Sequence, residues 1–395
     1  ASCAHLAYQT ITSAGRKGLL ERGSVIPEQI APRIISSDMN EGIMIFGGLE
    51  ELKQKIAQIK IQKPRYIWVI TACASGIIGD DLSSLDELGD SETRIIPILA
   101  DGNINGDFLQ GILLAYLEIG RALIDPQVQP EADTVNLIGE KTEGDTTEAN
   151  FQAFKELIER LGLKVNCRFI CRTTGTEIRR LLAGRLNILA WDDYMGRTIQ
   201  DFLTGEYGAS FMEQPLPVGF TETKEWLEAL AAYFGKENLV AEILSDYSQQ
   251  YKQRLAELKP YLQGKKLAIV SCNYQLDWII QTALDLDMEV LKICSLYSSQ
   301  DNCFKTRFEE QIGELGVNCP LEERFQHFPA EADLILQDQI WEGSPGNAFT
   351  DTIPFGPPIG FFSGLKLAER WKEIFQMNLK EGWQNDEELY RKYLG

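Results

Sequence analysis

The residues best equipped for chemistry are thiols and loop charges. Cys73 lies in TACASGIIGDD (71–81), directly after the apolar run YIWVI. That order predicts a thiol at the carboxyl end of a buried strand and at the start of a helix. Exposed backbone N–H groups and the helix dipole favour negative charge there, so the position suits a thiolate; the alternative is a buried structural cysteine. Arg172, Asp192 and Asp193 follow other strand-like runs. They could bind a substrate or supply protons, or they could be ordinary loop charges. Trp191 and Tyr194 beside them could line a pocket or belong to the core.

The other thiols read differently. The chain holds eight cysteines and no secretory signal, so a disulfide framework is not expected. Cys167, Cys171, Cys272 and Cys294 sit in or beside apolar runs and read as buried small hydrophobes. Cys167 and Cys171 share a face, but no second pair completes a zinc site. Cys303 and Cys319 read as free thiols without chemistry. With only two histidines, His5 and His327, a histidine-rich metal site is excluded.

The 395 residues exceed what one hydrophobic core usually fills, so two or three domains are expected. A net charge of −20 disfavours nucleic acid and anionic membranes as main partners. The acidity is either a solvated surface or a docking face for a basic partner. No run reaches the roughly 20 apolar residues that span a bilayer; GILLAYLEIGRALI (111–124) is broken by Glu118 and Arg121. The expected localisation is cytoplasmic.

These residues are positioned by a regular alternation. Strands are predicted at 66–71, 95–99, 134–138, 165–170, 186–191, 266–271, 289–293 and 333–336, and helices at 49–59, 149–162, 239–262, 277–288 and 306–316. This is an α/β pattern of parallel sheets flanked by helices. The strands fall into groups separated by DPQVQPEAD (125–133) and by the long helix 239–262. Ligands in such sheets sit beyond the carboxyl ends of strands, which selects the loops 72–79, 100–106, 139–145, 172–176, 191–195, 272–275 and 337–343. No G-x-G-x-x-G follows any strand and no phosphate-binding P-loop occurs, which disfavours nicotinamide enzymes and NTPases.

EGIMIFGGLEELKQKI, YIWVITACASGIIGDDL, IIPILADG and VNLIGE, in that order, followed by FGPPIG before the last long helix, resemble the nitrogenase component 1 family. The match runs from about Ser13 to the end. The resemblance implies three Rossmann-like domains: 1–130 with about 345–395 packed back on it, 131–262, and 263–344. It implies a homologous partner subunit, in a heterotetramer or homodimer, and a separate ATP-dependent iron–sulfur reductase. Cys73 matches the family cysteine that ligates an iron–sulfur cluster, a four-iron cluster or a larger P-cluster-like one, shared between subunits. Cys3 matches the first cluster cysteine. Gly76 and Gly79 would let the backbone approach the cluster, and Asp80 and Asp81 would fall in the first turn of the following helix.

The sequence departs from the family pattern twice. Only ten positions separate Cys3 from Ser13, too few for a helix and the family's H-G-P-x-G-C loop. Either that element is absent or residues are missing, and a spatial break between Leu6 and Ser13 is the expectation. Trp191, in LNILAWDDYMG, stands near the place of the nitrogenase cofactor cysteine, and NAFTDTIP carries no cofactor histidine. A conventional nitrogenase subunit is therefore not expected. The resemblance leaves a reductase subunit for a small substrate, with Arg172, Trp191, Asp192 and Tyr194 lining its pocket. The alternatives are a scaffold for metal-cofactor assembly and a non-catalytic partner subunit.

Overall fold

The computed structural model describes residues 34–37, 41–102, 106–141, 146–273, 275–296, 304–338, 348–354 and 356–377. Cys3, His5, the interval Leu6–Ser13, Asn103–Asn105 and Cys303 lie outside them. The chain divides into two compact units, one of residues 1–143 and 166–211, the other of residues 144–165 and 212–395.

The first unit holds two sheets. In one, β1 (Tyr66–Ile70) runs parallel to β2 (Arg94–Ile98). The other has the order β4 (Lys164–Arg168), β3 (Thr134–Ile138), β5 (Leu186–Leu189), with β3 parallel to β5. β3 is buried at every position, as expected of a strand covered on both faces. The helices Phe108–Leu123 and Tyr194–Tyr207 contribute Leu113, Tyr116, Ile199, Phe202 and Leu203 to one core with Ile138 and Phe169. Leu49–Lys60 is helical because its apolar residues recur at helical spacing, and it buries Ile56 against Ile67, Val69 and Ile95.

The second unit is built on a five-stranded sheet ordered β10-β9-β6-β7-β8. The strands are β6 (Lys266–Ser271), β7 (Glu289–Leu296), β8 (Glu314–Cys319), β9 (Leu334–Gln337) and β10 (Phe349–Thr352), and every neighbouring pair is parallel. The long helix Glu237–Leu262 is present as expected. The helix expected at 306–316 is not: a short 3-10 turn, Glu309–Gln311, leads into β8 instead. The last described helix, Ser363–Gln376, was expected to pack back on the first domain. It lies in the core of the second unit, where Leu365, Ala368 and Trp371 join Leu267, Ile279 and Leu334. The preceding glycine-proline turn is held by Asn150, which donates to the Pro357 carbonyl at 3.1 Å and accepts from Ile359 N–H at 3.1 Å.

No helix among the described residues is long and apolar enough to cross a membrane.

Candidate functional site

Two groups of side chains gather at carboxyl ends of strands in the first unit. The first surrounds Cys73. β1 ends at Ile70, Ala72 is extended, and Cys73 opens the helix Cys73–Ile78 with its thiol exposed. Ser75 fastens the helix start: its hydroxyl donates to the Ala72 carbonyl at 2.9 Å and accepts the Ala72 N–H at 3.2 Å. The loop after β2 comes alongside. A Cβ at Gly102 would lie 3.8 Å from the Cys73 sulfur, so glycine leaves the space beside the thiol open.

Gly76 has a defined steric partner, which is Asp101. A Cβ at Gly76 would lie 2.4 Å from the Asp101 carboxyl carbon, closer than side chains tolerate, and Asp101 is buried. The two loops interlock at that point. Gly79 ends the helix at φ 76° with open space around it, so its need for glycine is conformational.

Asp80 differs from its expectation. It sits at the amino end of an earlier helix, Leu49–Lys60, and accepts the Gly48 N–H at 3.1 and 3.0 Å with its two oxygens. The loop geometry after Gly79 turns the carboxylate back toward that helix start, where negative charge is stabilised. Asp80→Ala is expected to lower stability by about 1 kcal/mol, read as a lower urea midpoint with an unchanged m value.

The second group lies beyond the sheet β4-β3-β5. Its strand order reverses at β3, so a crevice is expected between the loops that follow β3 and β5. Lys141, after β3, pairs with Asp193, after β5, at 3.1 Å and lies 5.6 Å from the Trp191 ring centroid. Asp193 also caps the helix Tyr194–Tyr207, accepting Gly196 N–H at 2.8 Å. Asp192 pairs with Arg197 at 2.9 Å. Tyr194 is half exposed, whereas Arg172 sits exposed beyond β4 at φ 45°, across β3 from the other three. Trp191, Asp192 and Tyr194 thus share the segment after β5, and Arg172 lies beyond β4 on the other side of β3.

Behind these loops is a buried ion pair that sequence reading passed over. Arg168, at the end of β4, donates from Nε and a terminal nitrogen to the Glu140 carboxylate at 2.9 and 2.7 Å. Both residues are buried. The available signal was an arginine ending one strand beside an apolar run and a glutamate one glycine beyond another, which pairing makes tolerable when buried. Arg168 also donates to Cys171 Sγ at 3.5 Å. Burial, with Glu140's charge second, pushes the Cys171 thiol up to about 11. Burial, with smaller contributions from the Glu177 and Glu140 charges, pushes the Cys167 thiol up to about 12, against a weaker opposing hydrogen bond from Thr173. These two thiols are buried, as expected. Cys272 was expected to be buried as well, but it is exposed just after β6, where the chain leaves the sheet.

A surface hollow of about 580 Å³ lined by Thr93, Arg94, Glu118 and Arg121 lies at the amino end of β2. Ligands of open α/β sheets bind at the opposite ends of the strands, so the hollow does not enter the functional reading.

The comparisons agree with this architecture. Residues 1–334 match the family described as nitrogenase component 1 type oxidoreductase. The nitrogenase iron-molybdenum cofactor biosynthesis protein NifE of Rippkaea orientalis is 26% identical over 330 residues, covering 80% of this chain and 67% of that protein. The nitrogenase molybdenum-iron protein alpha chain of Methanococcus maripaludis is 24% identical over 383 residues, covering 92% and 77%. The chain spans between 54% and 67% of three NifE proteins it matches. Among solved structures, nitrogenase Cp1 superposes with a TM-score of 0.63 at 14% identity, over 92% of this chain and 81% of that one, which establishes the shared fold. The chain belongs to the nitrogenase component 1 type oxidoreductases.

Proposed function

We propose that the chain is one subunit of a nitrogenase-like two-component oxidoreductase that reduces a small substrate and is not a conventional nitrogenase. Its partners would be a homologous subunit and an ATP-dependent iron–sulfur reductase. The observation that carries this reading is the setting of Cys73. Its exposed thiol opens a helix beside the space left by Gly102, and the segments around it expose Ile70, Ile77, Leu99 and Phe108. Large apolar side chains at a surface favour a protein partner, and a thiolate between two subunits suits a shared iron–sulfur cluster. Cys73, together with Cys3, would hold that cluster, and Gly76 would keep the supporting loops in contact. The cluster would supply one-electron transfer at the interface. Trp191 in place of a cofactor thiol favours an organic or otherwise small substrate, with Arg172, Asp192 and Tyr194 available to orient it.

The test compares wild type with Cys73→Ser, each purified without oxygen alongside the partner subunit. Iron and acid-labile sulfide are expected in the wild type and should be largely lost in the variant. Equal iron in both, or none in either, would remove the redox assignment. The likeness to NifE supports a second reading, a carrier on which a metal cofactor is matured. Cys73-dependent iron without electron uptake from the reductase would select it.

A further inference from the structure

A group of donors in the second unit belongs to neither site. Cys294 lies in β7, Cys319 closes β8, and His327 closes the 3-10 turn Leu321–His327 that follows. The two sulfurs and an imidazole nitrogen all lie within 4.8 Å of one another.

The backbone brings them together by an irregularity. In the parallel β7–β8 ladder Cys294 pairs with Gly316, and Leu296 pairs with Cys319. Two steps along β7 thus match three along β8, so β8 carries one extra residue. Asn318, in that step, takes a left-handed φ of 58°. Side chains alternate faces along a strand, so a regular β8 would turn Cys319 away from Cys294. The bulge returns it to the same face. Gly316 completes the arrangement: a Cβ there would lie 2.8 Å from the Cys319 sulfur, which occupies the space a side chain would fill.

His327 supplies the independent sign of a missing ligand. Its Nε2 is buried and has no hydrogen-bond partner. A buried polar atom left unpaired costs about 1–3 kcal/mol, and native chains rarely leave one without reason. Val270, Leu296 and Phe328 form the apolar wall around the thiols and offer no donor or acceptor side chain. Cys294 is buried, while Cys319 and His327 are partly accessible, so an ion could enter from the sheet edge.

We propose that Cys294, Cys319 and His327 form a binding site for a thiophilic divalent cation of the zinc class. Two thiolates and one imidazole match the preference of such ions for sulfur and nitrogen, and the absence of carboxylate donors from the group excludes magnesium and calcium. A tetrahedral zinc ion about 2.3 Å from sulfur sets the sulfurs about 3.8 Å apart. The donors therefore need to close by no more than about 1 Å, which a turn and an edge strand can absorb. Binding releases the two thiol protons and leaves the fourth position to water or an external donor. The ion would tie β8, the edge of the sheet, to β7. This site is independent of the reading of Cys73.

The test uses the full chain, reduced and stripped with a chelator, titrated with Co²⁺ and then with Zn²⁺. One equivalent of Co²⁺ is expected to give sulfur-to-cobalt charge-transfer absorption that Zn²⁺ abolishes. Cys73→Ser should retain it, which separates this site from the interface thiol. Cys319→Ser and His327→Gln lie at the sheet edge and should fold, as thermal melting would confirm. Each is expected to weaken binding at least about tenfold. An unchanged titration in both variants, no sulfur-to-cobalt absorption in the wild type, or a Cys294–Cys319 disulfide in protein purified without oxygen would each overturn the proposal.

Discussion

Glu140→Ala is expected to destabilise the protein by about 3–5 kcal/mol. The substitution leaves the Arg168 guanidinium buried at the end of β4 with its bidentate partner gone. Desolvation of an unpaired charge dominates the cost, and the small cavity adds to it. For a domain of 150–250 residues each kcal/mol lowers the melting temperature by about 2–4 °C, so calorimetry should register a drop on the order of 10 °C. The double variant Glu140→Leu/Arg168→Met removes both charges and is expected to recover most of that loss. A single variant that melts like wild type would show that Arg168 has another route to solvent. Cys171 provides a local readout. Glu140's charge adds to the burial that holds this thiol up to about 11. Its removal should make the thiol more acidic and speed its alkylation at mildly alkaline pH.

Gly76→Ala is expected to cost about 1–3 kcal/mol and, more consequentially, most of the iron that Cys73 is proposed to hold. The added methyl would meet the Asp101 carboxyl carbon at 2.4 Å. Asp101 is buried, so relieving the clash requires a shift of its side chain and loop or of the helix Cys73–Ile78. Gly102 is the next residue and borders the Cys73 thiol, so both movements open the thiol's surroundings. Iron content per chain after anaerobic purification measures the functional loss, and the urea midpoint measures the stability loss. Gly76→Ala/Asp101→Gly relieves the clash by removing the opposing side chain. If the double variant regains iron, the interlock of the two loops positions the thiol. If Gly76→Ala keeps full iron, Gly76 serves stability alone.

Much of the architecture was legible because the physics is local. β3 and β6 are β-branched runs buried almost throughout, and Leu49–Lys60 and Glu237–Leu262 keep helical spacing along their whole length. β8 was read as helix because Ile312 and Leu315 are three apart, and an edge strand with exposed Glu314 and Val317 lacks a continuous apolar run. β10 was missed because its four residues include Asp351, a buried carboxylate made tolerable by Arg370 Nε at 2.8 Å. Partners so distant leave no pattern in a local window.

The sites divide the same way. Cys73 stood out because its surroundings, strand, thiol, glycines and aspartates, are contiguous in sequence. Cys294, Cys319 and His327 are separated by irregular intervals and meet through a bulge that no spacing rule anticipates. Cys294 is buried as expected, and the proposed role for it and Cys319 rests on geometry that only the β7–β8 ladder provides. Two histidines are too few for a histidine-rich site, whereas a mixed site needs one imidazole.

The path of the chain has a consequence for biosynthesis. Residues 144–165 leave the first unit for the second and then return, so neither unit is a continuous stretch. On the ribosome, β3 emerges before the excursion while β4 straddles its end and β5 emerges after it, and its sheet has to wait. Asn150 waits longer, since its partner Pro357 lies 207 residues downstream. At about 5–20 residues per second the helix Thr147–Arg160 spends roughly 10–40 s without that turn. Its half-finished apolar face is therefore on view to chaperones and proteases until that turn has been made.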